Sequence, residues 1–229
     1  MLWHKAWLET RFRLLFTLFF MCLILTFQHG AATTPPGVHG IVRFSNPILV
    51  VMACSMLAGA GIATQPTLAV SKGTHGSTLF TLSLPVSRLR LLGVRAGIGW
   101  LEGAGVLGMY CCAFWFLSPT LRGIVTPADM FRYAVTLAGC ASAIYCLSVL
   151  LATLLDDQWR VWGTMIGSGV YWWVSTHIPF PAFANIFRGM GEDSPLIAHT
   201  MPWNVIAFSA GLGIILFFTA LKIAKAREY

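Results

Sequence analysis

The chain has 229 residues, 57% of them hydrophobic and 10% charged, with 13% aromatics and a formal charge of +7. Soluble domains carry roughly 25% charged and about 45–50% apolar residues, so this composition is matched to lipid rather than to water. That excludes a soluble enzyme, a disordered regulator, a nucleic-acid-binding domain and a secreted disulfide scaffold.

At the start, Trp3, Ala6, Trp7 and Thr10 recur at helical spacing opposite Lys5 and Glu9. This predicts an amphipathic helix lying in the membrane interface. A bilayer core takes about 20 apolar residues per helix, and six runs qualify: 14–29, 47–70, 92–117, 131–155, 159–178 and 203–223. No small-x-small cleavage site follows the first run, which is therefore expected to be a retained anchor. Backbone facing lipid must bond to itself, so every run is predicted helical. The expected fold is all-α: one polytopic membrane domain over 1–229, with six spans.

With the N-terminus placed inside, the inner loops hold Lys5, Arg11, Arg13, Lys72, Arg88, Arg90, Arg95, Arg160, Lys222, Lys225 and Arg227. Only Arg43, Arg122, Arg132 and Arg188 fall outside. The positive-inside rule then predicts cytoplasmic N- and C-termini. The positive charge reads as orientation, not as a nucleic-acid surface. Trp115, Trp172, Trp173 and Trp203 would mark the outer boundary, and Trp159 and Trp162 the inner one.

The six cysteines lie inside apolar runs, without C-x-x-C spacing or a nearby histidine, and read as packing residues with no metal site. Small residues recur four apart: Ser55, Gly59 and Ala63; Gly93 and Gly97; Gly99 and Gly103; Gly163 and Gly167; Ser209 and Gly213. Such faces let helices approach closely, within one chain or between two copies.

The stretch from Ser71 to Leu91 is the longest inner connection. Ser77 or Thr78 can cap a short helix whose Leu79, Leu82 and Val86 share a face. Pro85 breaks that helix, and Ser87 can cap the next. An apolar-faced helix followed by Arg88 and Arg90 suits a docking element, and equally an amphipathic loop on the lipid surface.

Glu102 is an acid deep within a span, which makes it a candidate functional residue by default. It could line a cavity, act as a structural hydrogen-bonding partner or carry a proton, the last making the chain an ion- or proton-coupled transporter. Gly167-Ser168-Gly169 invites comparison with an intramembrane serine hydrolase, but His177 stands nine residues along the same helix, about 13 Å away. Small-residue packing is the simpler reading. Asp157 is expected to cap the fifth span in the turn Asp156-Asp157, with Arg160 beside it. The outer stretch 179–202 contains an apolar segment, 184–190, that fits either a re-entrant helix or a surface loop.

Gly76-Ser77-Thr78-Leu79, then Leu82-Ser83-Leu84-Pro85-Val86-Ser87-Arg88, then Gly93 and Arg95, resembles the first cytoplasmic loop of ABC-2 type transporter permeases. Trp3 to Arg13 is similar to that family's interfacial helix. Acidic residues are common in the family before the Gly-Thr/Ser step, where this chain has Ser71 and Lys72. The resemblance implies a six-span permease of the cell membrane, an exporter subunit paired with a second or similar permease copy. It implies a coupling helix, with Ser77, Thr78, Leu79, Phe80, Leu82, Pro85, Arg88 and Arg90 facing a separate ATPase subunit. That partner would hold ATP and Mg. No P-loop glycine frame precedes Lys72-Gly73-Thr74, so the chain itself is expected to be no enzyme and to bind no cofactor.

Overall fold

The computed structural model describes residues 2–31, 39–58 and 88–226, and the regular elements among them are helical. Helix α1 (Leu2–Ala31) is followed by a π-helical turn (Ile41–Ser45) that runs directly into α2 (Asn46–Leu57). Then come α3 (Arg88–Leu117), the short α4 (Pro119–Ile124), α5 (Pro127–Leu154) and α6 (Asp157–His177). A 3-10 turn (Ala182–Ala184) and α7 (Ile186–Met190) precede α8 (Trp203–Ala226). Three of these are long and apolar enough to cross a membrane: Leu92–Leu117 within α3, Pro127–Leu154 and Trp203–Ala226.

Helix starts follow ordinary capping chemistry. Ser118 and Thr126 accept the backbone N–H of Leu121 and Asp129, each at 3.2 Å, and each is followed by proline, which gives up no needed donor there. Asp129 lies in the first turn of α5, where negative charge favours the helix, and pairs with Arg132 at 3.0 Å. At α6 the cap position belongs to Asp156, in extended geometry and without a side-chain bond, and the helix begins at Asp157. The expected cap is thus displaced by one residue.

Two further expectations are corrected. The predicted interfacial helix and first span form one helix, because neither proline nor glycine interrupts 2–29. Its Thr10 is buried against α3 rather than lying on a lipid surface. The helix expected over 47–70 stops at Leu57, with Ala58 extended (ψ 140°). Gly59 and Gly61 follow in the sequence, where helix continuation gains least. The rest of that span lies outside the described residues.

Neighbouring contacts give the direction of each helix. Asn46 meets Tyr110 and Tyr133, while Leu57 lies beside Gly99 and Ala58 beside Arg160, so α2 runs against α3 and along α5. Thr10 meets Glu102 and Gln28 meets Tyr110, making α1 parallel to α3. Gly163 and Gly167 pack on Leu151 and Leu147, making α6 antiparallel to α5. Gly139 faces Ile206 and Ser142 faces Gly213, so α8 runs with α5. The long helices therefore alternate in direction, and both ends of the described chain lie at the end of the bundle that holds Arg160. Helix α5 is central: half of its most apolar window is buried, against 28% for α3 and α8.

The tightest packing uses the small residues. A Cβ on Gly213 would sit 3.2 Å from the Ser142 carbonyl oxygen, and Ser209 Oγ donates to the Cys140 carbonyl at 2.8 Å. Cys54, Cys111 and Cys140 are buried in the same core, whereas Cys22 and Cys112 are exposed. Trp172, Trp173 and Trp203 are exposed toward one end of the bundle and Trp159 and Trp162 toward the other.

The stretch after α6 folds back into the bundle at the end opposite Arg160. Ala184, Ile186, Phe187, Met190 and Leu196 are buried there. Arg43–Glu192 (2.5 Å) and Arg188–Asp193 (3.0 Å) are half-exposed ion pairs, worth about 0–1 kcal/mol each. Burying a large apolar side chain is worth about 1.5–3 kcal/mol, so the apolar residues hold this segment and the ion pairs only orient it.

Candidate functional site

In an apolar bundle, the buried polar side chains are where chemistry or coupling is to be sought. They fall into three groups and one cleft.

The first group contains Glu102. Thr10 Oγ1 stands 2.6 Å from Glu102 Oε1, joining α1 to α3. Thr10 is buried and Glu102 half-buried, and Glu102 Oε2 has no hydrogen-bond partner among the described residues. One turn before Glu102, the missing side chain of Gly99 admits the Tyr145 hydroxyl, which donates to the Ala96 carbonyl at 2.8 Å. Gly105, one turn after Glu102, is exposed, and a Cβ there would meet no described atom within 4 Å.

The second group centres on Arg160. Sequence places it beside Asp156-Asp157 as one of the orientation-setting charges, yet its exposure is 0%. Its Nη1 donates to the Ala58 carbonyl at the end of α2, and to Ser148 Oγ on α5 at 3.2 Å. Tyr145, whose hydroxyl fills the gap at Gly99 one turn from Glu102, lies three residues before Ser148, the partner of Arg160, so acid and base share one neighbourhood at this end of the bundle.

The third group, near the opposite end, joins four helices. Asn46 Nδ2 donates to the Tyr133 hydroxyl at 2.8 Å. The Tyr110 hydroxyl lies 2.5 Å from Asn46 Oδ1 and 2.8 Å from Gln28 Oε1, while Gln28 Nε2 has no partner. One hydroxyl hydrogen cannot serve two acceptors fully. With the Gln28 amide turned over, Nε2 donates to Tyr110 and Tyr110 donates to Asn46, so every donor on that path has an acceptor. None of these four residues stands out in the sequence. Each lies at or near the end of an apolar run, and only the fold brings them together.

Between α2 and α6, at the same end, an open cleft of about 210 Å3 is walled by Ile48, Val51, Met52, Met165, Trp172 and Phe187. Ser168 lines it, 3% exposed, its hydroxyl without a partner among the described residues. Arg43 marks its mouth, where a more polar hollow of about 350 Å3 adds Asn185, Arg188 and Glu192. Among the described residues, no base bonds to Ser168 Oγ. His177 Nδ1 lies 3.0 Å from the Trp173 carbonyl, with its ring stacked on Trp173. The geometry of a serine hydrolase is thus not assembled among the described residues.

Of the predicted docking residues, Ser77, Thr78, Leu79, Phe80, Leu82 and Pro85 lie outside the described residues. Arg88 opens α3, and Arg90 is exposed on its first turn. The chain matches no family model, no curated protein and no solved structure.

Proposed function

We propose that this chain is the membrane-embedded permease subunit of an ABC-2 type exporter, paired with a second or similar copy and driven by a separate ATPase that holds ATP and Mg. The observation that carries the reading is the sequence from Gly76 to Arg95, in which Leu79, Leu82 and Val86 recur around Pro85 and are followed by Arg88 and Arg90. The alternating helices and the many basic residues toward the Arg160 end support it, since the positive-inside rule would make that end cytoplasmic. Both termini and the docking run would then face the ATPase, in a multi-pass protein of the cell membrane with six spans.

In this reading the α2–α6 cleft forms part of the pathway wall. Apolar walls below a charged mouth suit an amphiphilic cargo better than an inorganic ion, which would need a ring of polar ligands. ATP drives such a cycle only by binding two conformations of the complex unequally; a thousandfold preference is worth about 4 kcal/mol. Glu102 and Thr10 would then act as a packing pair between α1 and α3.

The test is co-purification of the tagged chain with a P-loop ATPase identified by mass spectrometry and by ATP binding. Changing Leu79, Phe80 and Leu82 together to Asp is expected to reduce recovery of the ATPase at least about tenfold, because three carboxylates would have to be desolvated in an apolar groove. Transport by the chain alone, without any ATPase, would sink the reading.

A further inference from the structure

Two basic residues at the Arg160 end of the bundle are buried, Arg160 at 0% exposure and Arg95 at 7%. Arg90, Lys222 and Lys225 are exposed, as residues that set orientation should be, whereas Arg160 is fully buried. A buried guanidinium is costly unless its hydrogen bonds are met. Its partners include two specific groups, the backbone carbonyl of Ala58 and the Ser148 hydroxyl. Its own backbone is fixed in the first turn of α6, where its N–H donates to the Asp156 carbonyl at 2.8 Å and its carbonyl accepts from Thr164 Oγ1 at 2.8 Å.

Ala58 is equally specific. Its N–H makes the last helical bond of α2, to Cys54 at 3.0 Å, and its backbone then turns extended toward the stretch that includes 77–90. The end of α2 carries the negative pole of the helix, which a cation complements. The grip on α2 is on its main chain, so no rotation of an α2 side chain releases it. A displacement at Ala58 either carries Arg160 along or breaks the bond between the guanidinium and that carbonyl.

We propose that Arg160 is a positioning residue that ties the exit of α2 to the α5–α6 pair, so that movement of the segment after Ala58 is passed into the bundle. Only the second measurement below rests on reading 77–90 as the docking stretch.

The experiment uses the full chain in lipid nanodiscs and amide hydrogen exchange read by mass spectrometry. In Arg160→Met, exchange of the peptide covering 53–58 is expected to rise at least about tenfold, with the peptides of 203–226 unchanged and with Arg160→Lys restoring much of the protection. Unchanged exchange at 53–58 overturns the proposal. An equal rise across 203–226 also overturns it, because that marks a merely structural role. Should Arg160→Met fail to accumulate, Ser148→Ala carries the test: a smaller rise confined to 53–58 supports the tie, and no rise refutes it. In a complex with the ATPase, Arg160→Met is expected to keep ATP hydrolysis while transport falls at least about tenfold, and equal loss of both counts against coupling. A local exchange effect in a chain that binds no ATPase leaves the tie standing and removes the exporter reading.

Discussion

Asn46→Leu is expected to lower the stability of the purified protein by about 2 kcal/mol, against about 1 kcal/mol for either Tyr110→Phe or Tyr133→Phe. The difference comes from how many groups each change strands. Asn46 is fully buried and contacts two phenols, at 2.8 Å and 2.5 Å, from helices α5 and α3. Leucine fills a similar volume but leaves the Tyr133 hydroxyl without its described partner and the Tyr110 hydroxyl with Gln28 alone, in a core where Tyr110 is 2% and Tyr133 0% exposed. Each orphaned group costs about 1–3 kcal/mol; Tyr133→Phe frees only the Asn46 amide N–H and keeps the bond to Tyr110, while Tyr110→Phe keeps the bond between Asn46 and Tyr133. A single hydrogen bond within a membrane bundle is worth only about 0.6 kcal/mol on average, so the size of the effect depends on stranding and not on bond count. Denaturant titration in mixed micelles measures the ranking. An Asn46→Leu protein no weaker than Tyr133→Phe would show that the four-residue network does not hold the helices together.

The reasons why this network and the Arg160 tie are hard to see in the sequence are physical. Apolar run length is a local property, and it locates α3, α5, α6 and α8 to within a few residues, since Ser118-Pro119, Thr126-Pro127 and Asp156 punctuate the chain where helices must start. The end of α2 carries only a weaker local mark, Gly59 and Gly61, since small-residue pairs also occur inside membrane helices. Apolar residues continue past Leu57, and the carbonyl that would have continued the helix is taken by a guanidinium 102 positions later. Likewise Arg160 follows two aspartates in sequence and so looks solvated, but one helical turn into α6 its side chain points at the core. Gln28, Asn46, Tyr110 and Tyr133 carry no periodic signal, because hydrogen bonds between helices fix single positions rather than faces. Glu102 was legible through its rarity in an apolar run. Its partner Thr10 was assigned to the lipid interface, because an amphipathic stripe looks the same whether it faces lipid or another helix.

Gly99→Val is expected to cost about 3 kcal/mol, while Gly93→Val on the same helix stays within about 0.5 kcal/mol of the parent. Both glycines open a four-residue small pair in the sequence, Gly93 with Gly97 and Gly99 with Gly103, and spacing alone treats the pairs alike. The packing does not. A Cβ at Gly99 would lie 2.5 Å from the Tyr145 hydroxyl and 3.2 Å from the Leu57 carbonyl oxygen, whereas one at Gly93 or Gly97 meets no described atom within 4 Å. Tyr145 is 3% exposed and cannot swing out; moving it breaks its bond to Ala96 and disturbs the ground between Glu102 and Arg160. The carbonyl is backbone and one residue from the Arg160 tie, so it yields less readily than a flexible side chain. Overpacking by itself costs about 1–3 kcal/mol, and a lost buried hydrogen bond adds about 1 kcal/mol. Gly103→Val should fall between the two, since Leu57 Cδ1 at 3.9 Å is its nearest described neighbour. Unfolding midpoints of the three variants read out which face of α3 is turned inward. Equal losses at Gly93 and Gly99 would mean that the helix presents a different face to α2 and α5, and that the Glu102 environment must be redrawn with it.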